Sequence, residues 1–291
     1  MRKMIIEIDK KSGFCFGVQN AINKAEELTK NNSEIISLGE IVHNENEIER
    51  LGKLGVKPIS VLDLSKISEK TVLIRTHGEP PSAYEELKRN NNRIVDATCP
   101  VVLKLQQRIS KSFSELQKSD GQILIYGKKN HPEVIGLNGQ TKDKAIVISN
   151  IHDLDKVDYS RPIELYCQTT MPLDGFEAIK SELKNRAEKS LVIYDTICRQ
   201  VANRVPHLKW FATQYDLVIF VSGSNSSNGK LLFNVCKTKN QNTRFVTSAK
   251  AINFEWFDNV SRVGICGATS TPQWLMEDVK QFLENEFNVS K

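Results

Sequence analysis

Three cysteines of this 291-residue chain share one local setting, and thiols are its most reactive candidates for chemistry. Cys15 lies in GFCFGV (13–18), Cys99 in DATCPVV (96–102) and Cys198 in DTIC (195–198). Each follows a short apolar run that reads as a strand: Met4–Ile8, Arg93–Val95 and Leu191–Tyr194. Each also precedes a stretch of helical periodicity. A thiol at such a junction sits near the exposed N–H groups of a helix start, which favour thiolate, the form that ligates metal. Three thiolates from separate units would hold zinc with a fourth ligand, or an iron–sulfur cluster with one iron left open. Zinc sites usually draw cysteines as close pairs, and this chain has no C-x₂-C pair. Widely separated single cysteines fit a cluster better. Cys167, Cys236 and Cys266 read as small buried hydrophobes.

Polar residues cluster where the other strands end. His43 and His77 follow Cys15 by 28 and 62 residues, His131 and Thr169 follow Cys99 by 32 and 70, and Ser226 and Ser270 follow Cys198 by 28 and 72. The spacing predicts three units that repeat in structure rather than in letters. The segment Ser222–Gly229, rich in hydroxyl, amide and glycine, is a candidate anion loop between a strand and a helix. His43, His77 and His131 are each expected to open a helix after a strand and to add donors for a diphosphate. Glu133, held in the same cavity, would be a proton donor, although a carboxylate in a first helical turn is favoured for its own sake. Thr169 and Thr170 either orient a substrate hydroxyl or cap the helix near Leu173.

Positioning these residues requires alternating strands and helices. Apolar, β-branched runs such as Glu34–Leu38, Thr71–Ile74, Gln122–Tyr126, Ile163–Cys167, Leu217–Val221 and Arg262–Cys266 alternate with helix candidates such as Gln19–Lys30, Val101–Lys118 and Val201–Gln214. This pattern predicts α/β units with parallel sheets, whose ligands sit at the carboxyl ends of strands. Three such edges facing one another would make one central site. The length allows a large core, in one domain or up to three small ones. With 40 Lys+Arg against 35 Asp+Glu, the charge is far from a nucleic-acid signature. No apolar run approaches the roughly 20 residues that span a bilayer, and the first ten residues lack a signal-peptide core. A cytoplasmic location is expected, and there six cysteines argue against disulfides.

The motifs together resemble the hydroxymethylbutenyl diphosphate reductase (LytB/IspH) family. Besides the cysteine segments they include IVHN (41–44), THG (76–78), HPEVIG (131–136), QTT (168–170), SNSSN (224–228) and STP (270–272), in order along essentially the whole chain. The resemblance implies a trefoil of three pseudo-equivalent α/β domains, 15–98, 99–196, and 197–291 completed by the N-terminal segment 1–14. Between them it implies a [4Fe–4S] cluster on Cys15, Cys99 and Cys198, its fourth iron open to substrate; loss of that iron in air would leave [3Fe–4S]. It also implies reductive removal of the allylic hydroxyl of hydroxymethylbutenyl diphosphate, the last step of the methylerythritol phosphate route, giving isopentenyl and dimethylallyl diphosphates. The electrons would come from a ferredoxin- or flavodoxin-type protein. His43, His77, His131, Ser226, Asn228 and Ser270 would hold the diphosphate with Ser227 close by. Glu133 would deliver protons, and Thr169 would orient the hydroxyl. Three positions depart from the family's usual pattern: Val201, Asn20 and Phe16. The rival readings are a cluster hydro-lyase without net electron transfer and a non-catalytic zinc- or cluster-sensing module.

Overall fold

Valine, isoleucine and leucine predominate in the inner strands, the composition of strands covered on both faces. In the computed structural model, which describes residues 4–31 and 34–287, these runs form three four-stranded sheets with every pairing parallel. The strands are β1 (Ile5–Ile8), β2 (Ile35–Leu38), β3 (Val56–Ile59), β4 (Thr71–Ile74), β5 (Arg93–Asp96) and β6 (Gln122–Tyr126). They continue with β7 (Ile146–Ile148), β8 (Ile163–Cys167), β9 (Leu191–Ile193), β10 (Leu217–Val221), β11 (Thr243–Val246) and β12 (Arg262–Gly267).

The sheet orders are β3-β2-β4-β5, β7-β6-β8-β9 and β11-β10-β12-β1. Each is the order second, first, third, fourth. The C-terminal segment supplies three strands of the last sheet, and the N-terminal β1 takes its free edge, with Ile5 beside Arg262 through to Ile8 beside Ile265. In all three sheets the chain reverses its direction of winding between the first and third strands. That point is where an open parallel sheet binds ligands at its carboxyl edge. Each proposed cysteine follows the fourth strand of a sheet, so Cys15 belongs by topology to the last sheet rather than to the one after it.

The helices are α1 (Phe16–Asn31), α2 (Glu45–Lys53), α3 (Pro81–Arg89), α4 (Pro100–Leu116), α5 (Pro132–Gly139), α6 (Leu173–Arg186), α7 (Arg199–Ala202), α8 (Arg204–Ala212), α9 (Ser227–Lys239) and α10 (Gln273–Glu286). By contact density the chain forms two units. One gathers the segment up to Gln19, Val42–Leu54 and everything from Arg199; the other holds Asn20–Ile41 and Gly55–Cys198. In the first, Leu217, Ile219, Val263 and Ile265 pack against Leu275, Met276 and Val279 of α10, and Val218 and Phe220 pack on the other face against Leu208 and Leu232. In the second, Ile36, Val72 and Ile74 pack with Ala83 and Leu87, and Ile123 and Ile125 pack with Leu105, Ile109 and Leu137.

Three elements differ from the sequence-based expectation. Strand β3 goes unrecognised in the sequence because Pro58 interrupts it; the sheet accommodates that proline by placing β3 at an edge. The helix expected over Val201–Gln214 is broken at Asn203 into α7 and α8, because Pro206 has no N–H to return to the preceding turn. His77 does not open a helix. It sits in a turn after β4, and α3 begins only at Pro81, since Pro80 and Pro81 hold the residues before them extended.

Within the second unit the backbones of two sheets' loops come close at Gly136 of α5. A Cβ there would lie 3.0 Å from Gln106 Nε2 and 3.3 Å from the Gly78 carbonyl oxygen. G136V should therefore wedge α5 away from the 76–78 turn. The expected result is a loss of about 1–3 kcal/mol in denaturant unfolding; unchanged stability would show that this approach is not constrained.

Candidate functional site

The carboxyl edges of the sheets place the predicted residues at repeating positions. His43, His131 and Ser226 each stand five residues past the end of a first strand (β2, β6 and β10). Thr76, Thr169 and Thr269 each stand two past the end of a third strand (β4, β8 and β12). The carbonyl of each threonine accepts the backbone N–H of a cysteine: Cys99 to Thr76 at 3.0 Å, Cys198 to Thr169 at 2.8 Å and Cys15 to Thr269 at 3.3 Å. The structural counterpart of His77 and Ser270 is thus Thr170, one residue beyond the Thr169 that sequence spacing aligned with them.

In the second unit, His131 caps α5, its Nδ1 accepting the backbone N–H of Glu133 at 3.2 Å. That bond requires a lone pair on Nδ1, so the neutral ring carries its proton on Nε2 and presents a donor there. The His131 and His77 rings meet edge to face with centroids 5.2 Å apart. Glu133 is 2% exposed. Its Oε1 accepts the Thr169 N–H at 2.7 Å, and its Oε2 accepts the Thr169 hydroxyl at 2.8 Å. Burial drives its pKa up to about 7 from 4.5, because desolvation outweighs the two bonds from Thr169 that favour the ionised form. His77 is presented by a turn that Arg75 and Glu79 clasp, Nε to Oε1 at 3.1 Å, with Glu79 almost fully buried.

In the first unit, His43 precedes Asn44, whose side chain caps α2 by accepting the Glu47 N–H at 3.2 Å. The backbone at His43 and Asn44 packs against Gly223: a Cβ there would lie 2.4 Å from the His43 carbonyl oxygen. Glu45 accepts from both the N–H and hydroxyl of Ser224 and so clips α2 to the 222–229 loop. Ser226 caps α9 through the Gly229 N–H at 3.0 Å, and its hydroxyl lies 3.0 Å from that of Ser270. Asn228 donates to the Thr269 hydroxyl at 2.6 Å, while its own buried Oδ1 has no hydrogen-bond partner among the described residues. Ser227, the first residue of α9, is half-buried.

The cysteines divide as the sequence predicts. Cys15, Cys99 and Cys198 are half-buried thiols, and Cys167, Cys236 and Cys266 are buried. Burial pushes the Cys167 and Cys266 thiols up, making them poor ligands. The three reachable thiols each stand immediately before a helix, Cys99 as the N-cap of α4. Soft, partly accessible sulfur donors held by their own backbone suit an iron–sulfur group. Of the departing positions, Val201 is buried in α7, Asn20 is half-buried, and Phe16 is 71% exposed at the start of α1. Sequence reasoning missed Asn44, Glu45, Arg75 and Glu79, which hold the predicted residues in place. Only Asn44 carried a signal, as a capping residue type just after His43.

The raised pKa of Glu133 has a stability consequence. Between pH 4.5 and about 7 the unfolded chain loses the Glu133 proton while the folded chain keeps it, so folding weakens as pH rises through that window. The wild type should thus lose on the order of 3 kcal/mol relative to E133Q across it, measured by urea unfolding. Parallel pH profiles for the two proteins would contradict the burial argument.

A family model described as "LytB protein" matches residues 6–284. A protein of Parabacteroides distasonis named 4-hydroxy-3-methylbut-2-enyl diphosphate reductase is 51% identical over 288 residues, covering 98% of this chain and 99% of its own. A Bacteroides fragilis protein of the same name is 47% identical over 281 residues, covering 96% and 97%. A solved structure described as (E)-4-hydroxy-3-methyl-but-2-enyl diphosphate reductase, the terminal enzyme of the non-mevalonate pathway, matches with TM-score 0.74 at 33% identity, over 97% of this chain and 99% of that one. A Plasmodium falciparum reductase structure matches with TM-score 0.86 at 28% identity, over 99% and 91%. With its three parallel sheets, its repeated strand-end residues and a family match along nearly its whole length, this chain belongs to the LytB protein family.

Proposed function

We propose that this chain catalyses the reductive dehydroxylation of (E)-4-hydroxy-3-methylbut-2-enyl diphosphate to isopentenyl and dimethylallyl diphosphates. The observation that carries the reading is the buried Glu133 carboxyl on Thr169, next in the fold to a half-buried thiol, Cys198, that shares the same threonine. The domains proposed with it are 15–98, 99–196 and 197–291 with 1–14, working in the cytoplasm. Among the described residues no helix is long and apolar enough to cross a membrane.

The reaction breaks one C–O bond, forms one C–H bond, consumes two electrons and two protons, and releases the oxygen as water. Cys15, Cys99 and Cys198 would hold a [4Fe–4S] cluster, which when bound supplies the electrons and an open iron of Lewis-acid character. A ferredoxin- or flavodoxin-type protein would deliver those electrons one at a time. The diphosphate is held by histidine, hydroxyl and amide donors rather than lysines: His43, His77 and His131, with Ser226, Ser227, Asn228 and Ser270 at the start of α9 and after β12. His131 contributes its Nε2–H, since Nδ1 is occupied by the Glu133 backbone. Burial raises the Glu133 pKa to about 7, so near neutral pH a large share of the carboxyl still carries a proton with which to protonate the departing oxygen. Thr169, 2.8 Å from that carboxyl, receives or passes the proton's hydrogen bond and orients the substrate hydroxyl.

Anaerobic assay with a reduced one-electron donor tests the reading. Both products should appear only with reductant; consumption without reductant would indicate a hydro-lyase instead. E133Q should bind the diphosphate with near-wild-type affinity while kcat falls by about 10²–10⁴-fold, and near-normal turnover would exclude Glu133 as the acid. Wild-type kcat should fall as pH rises through about 7, where Glu133 loses its proton. Serine at Cys15, Cys99 or Cys198 should abolish or badly damage the cluster, read as iron and sulfide content, whereas C236S should not. Equal losses at all four would undo the ligand assignment.

A further inference from the structure

Arg204, the first residue of α8, carries a charge that no carboxylate contacts directly: among the described residues it forms no ion pair. Its Nη2 donates to the Gly13 carbonyl at 2.8 Å, and its Nη1 is buried without a hydrogen-bond partner. A buried guanidinium N–H with no acceptor is costly, and such a group calls for an anion. Asp9 is already engaged. Its carboxylate accepts the Lys11 N–H at 3.1 Å and the Ser12 hydroxyl at 2.8 Å, and lies 2.7 Å from His207 Nε2 on the same face of α8.

Those bonds point to one loop. Asp9, Ser12 and Gly13 lead from β1 into Cys15, and Gly13 is held at φ +106°, a conformation only glycine adopts without strain. The Ser12 hydroxyl accepts the Gly267 N–H at 3.0 Å, which ties the loop to the end of β12 as well. Burial opposes the Arg204 charge; Asp9 favours it, and so would the Cys15 and Cys266 sulfurs as thiolates. Of those two sulfurs, Cys266 is fully buried and its thiol is held in the neutral form, so Cys15, two residues past the Gly13 carbonyl that Arg204 binds, is the sulfur through which this cation would act on a bound cluster.

We propose that Arg204 is a positioning residue that holds the Cys15 loop and, through its charge beside Cys15, raises the reduction potential of the cluster; this rests on the cluster reading above. One-electron reduction adds one negative charge to the cluster and its thiolates and breaks no bond, the electron coming from the reduced carrier protein. A fixed cation close to one ligand stabilises that added charge, and potentials of such clusters follow local charge and hydrogen bonding. Arg204 need not titrate for this to operate.

The test is a redox titration of anaerobically prepared, full-length holoenzyme, followed by electron paramagnetic resonance. R204Q should hold its cluster and shift to a lower midpoint potential, while R204K, which keeps the charge, should stay at the wild-type value. R204Q at the wild-type potential with its cluster intact would overturn the proposal. So would R204K falling as far as R204Q, because the effect would then belong to the Gly13 bond rather than to charge. Should R204Q fail to load, R204K decides alone: a wild-type potential supports the proposal and a lowered one contradicts it. Wild-type protein that binds no iron would instead defeat the functional reading, and iron content measured first separates the two failures.

Discussion

The structure turns on one backbone hydrogen bond made three times. Two residues past the third strand of each sheet stands a threonine, and its carbonyl accepts the N–H of a cysteine that follows the sheet's fourth strand. The bond is strong enough to orient a loop because both partners sit at the carboxyl edge of a rigid parallel sheet. It also explains why the N-terminal strand must be where it is. Without β1 on the edge of β12, Cys15 would have no fourth strand to follow and no Thr269 to bind.

The same strand ends position Glu133, the proposed acid. Thr169 serves Cys198 with its carbonyl and Glu133 with its N–H and hydroxyl, so one residue organises a thiol and a carboxyl. Desolvation then sets the carboxyl's charge state. A surface Glu at a helix start would be ionised well below neutral pH, and the favourable helix dipole would hold it so; fully buried, Glu133 holds its proton up to about pH 7 instead. The histidines follow a parallel logic. His131 spends one ring nitrogen on capping its helix, which fixes the tautomer and leaves the other nitrogen as a donor.

Much of this was legible in the sequence because it depends on local pattern. Apolar runs of strand length marked eleven of the twelve strands found among the described residues, and type and spacing picked out the thiols, the histidines, Glu133 and the serine-rich loop. The parts that were not legible depend on partners far apart in the chain. Spacing from each cysteine aligned Thr169 with His77, but loop lengths differ between units; only strand ends show that Thr169 matches Thr76 and Thr269. Pro58 masked an edge strand, and Pro206 broke a helix whose periodicity ran straight through it. The clasp of Arg75 on Glu79, the clip of Glu45 on Ser224 and the bond of Arg204 to Gly13 leave no periodic trace. Such residues become visible only when burial and hydrogen-bond partners are known.

The proposed function requires three cysteines, equivalent in topology, to hold one cluster with an iron that no protein side chain occupies. Mössbauer spectroscopy on iron-57-loaded, anaerobically prepared protein measures this most directly, alongside iron and sulfide content. About four irons and four sulfides per chain are expected, with one iron distinct from the other three and changed by adding the diphosphate substrate. Stoichiometric zinc, or four equivalent irons indifferent to substrate, would contradict it.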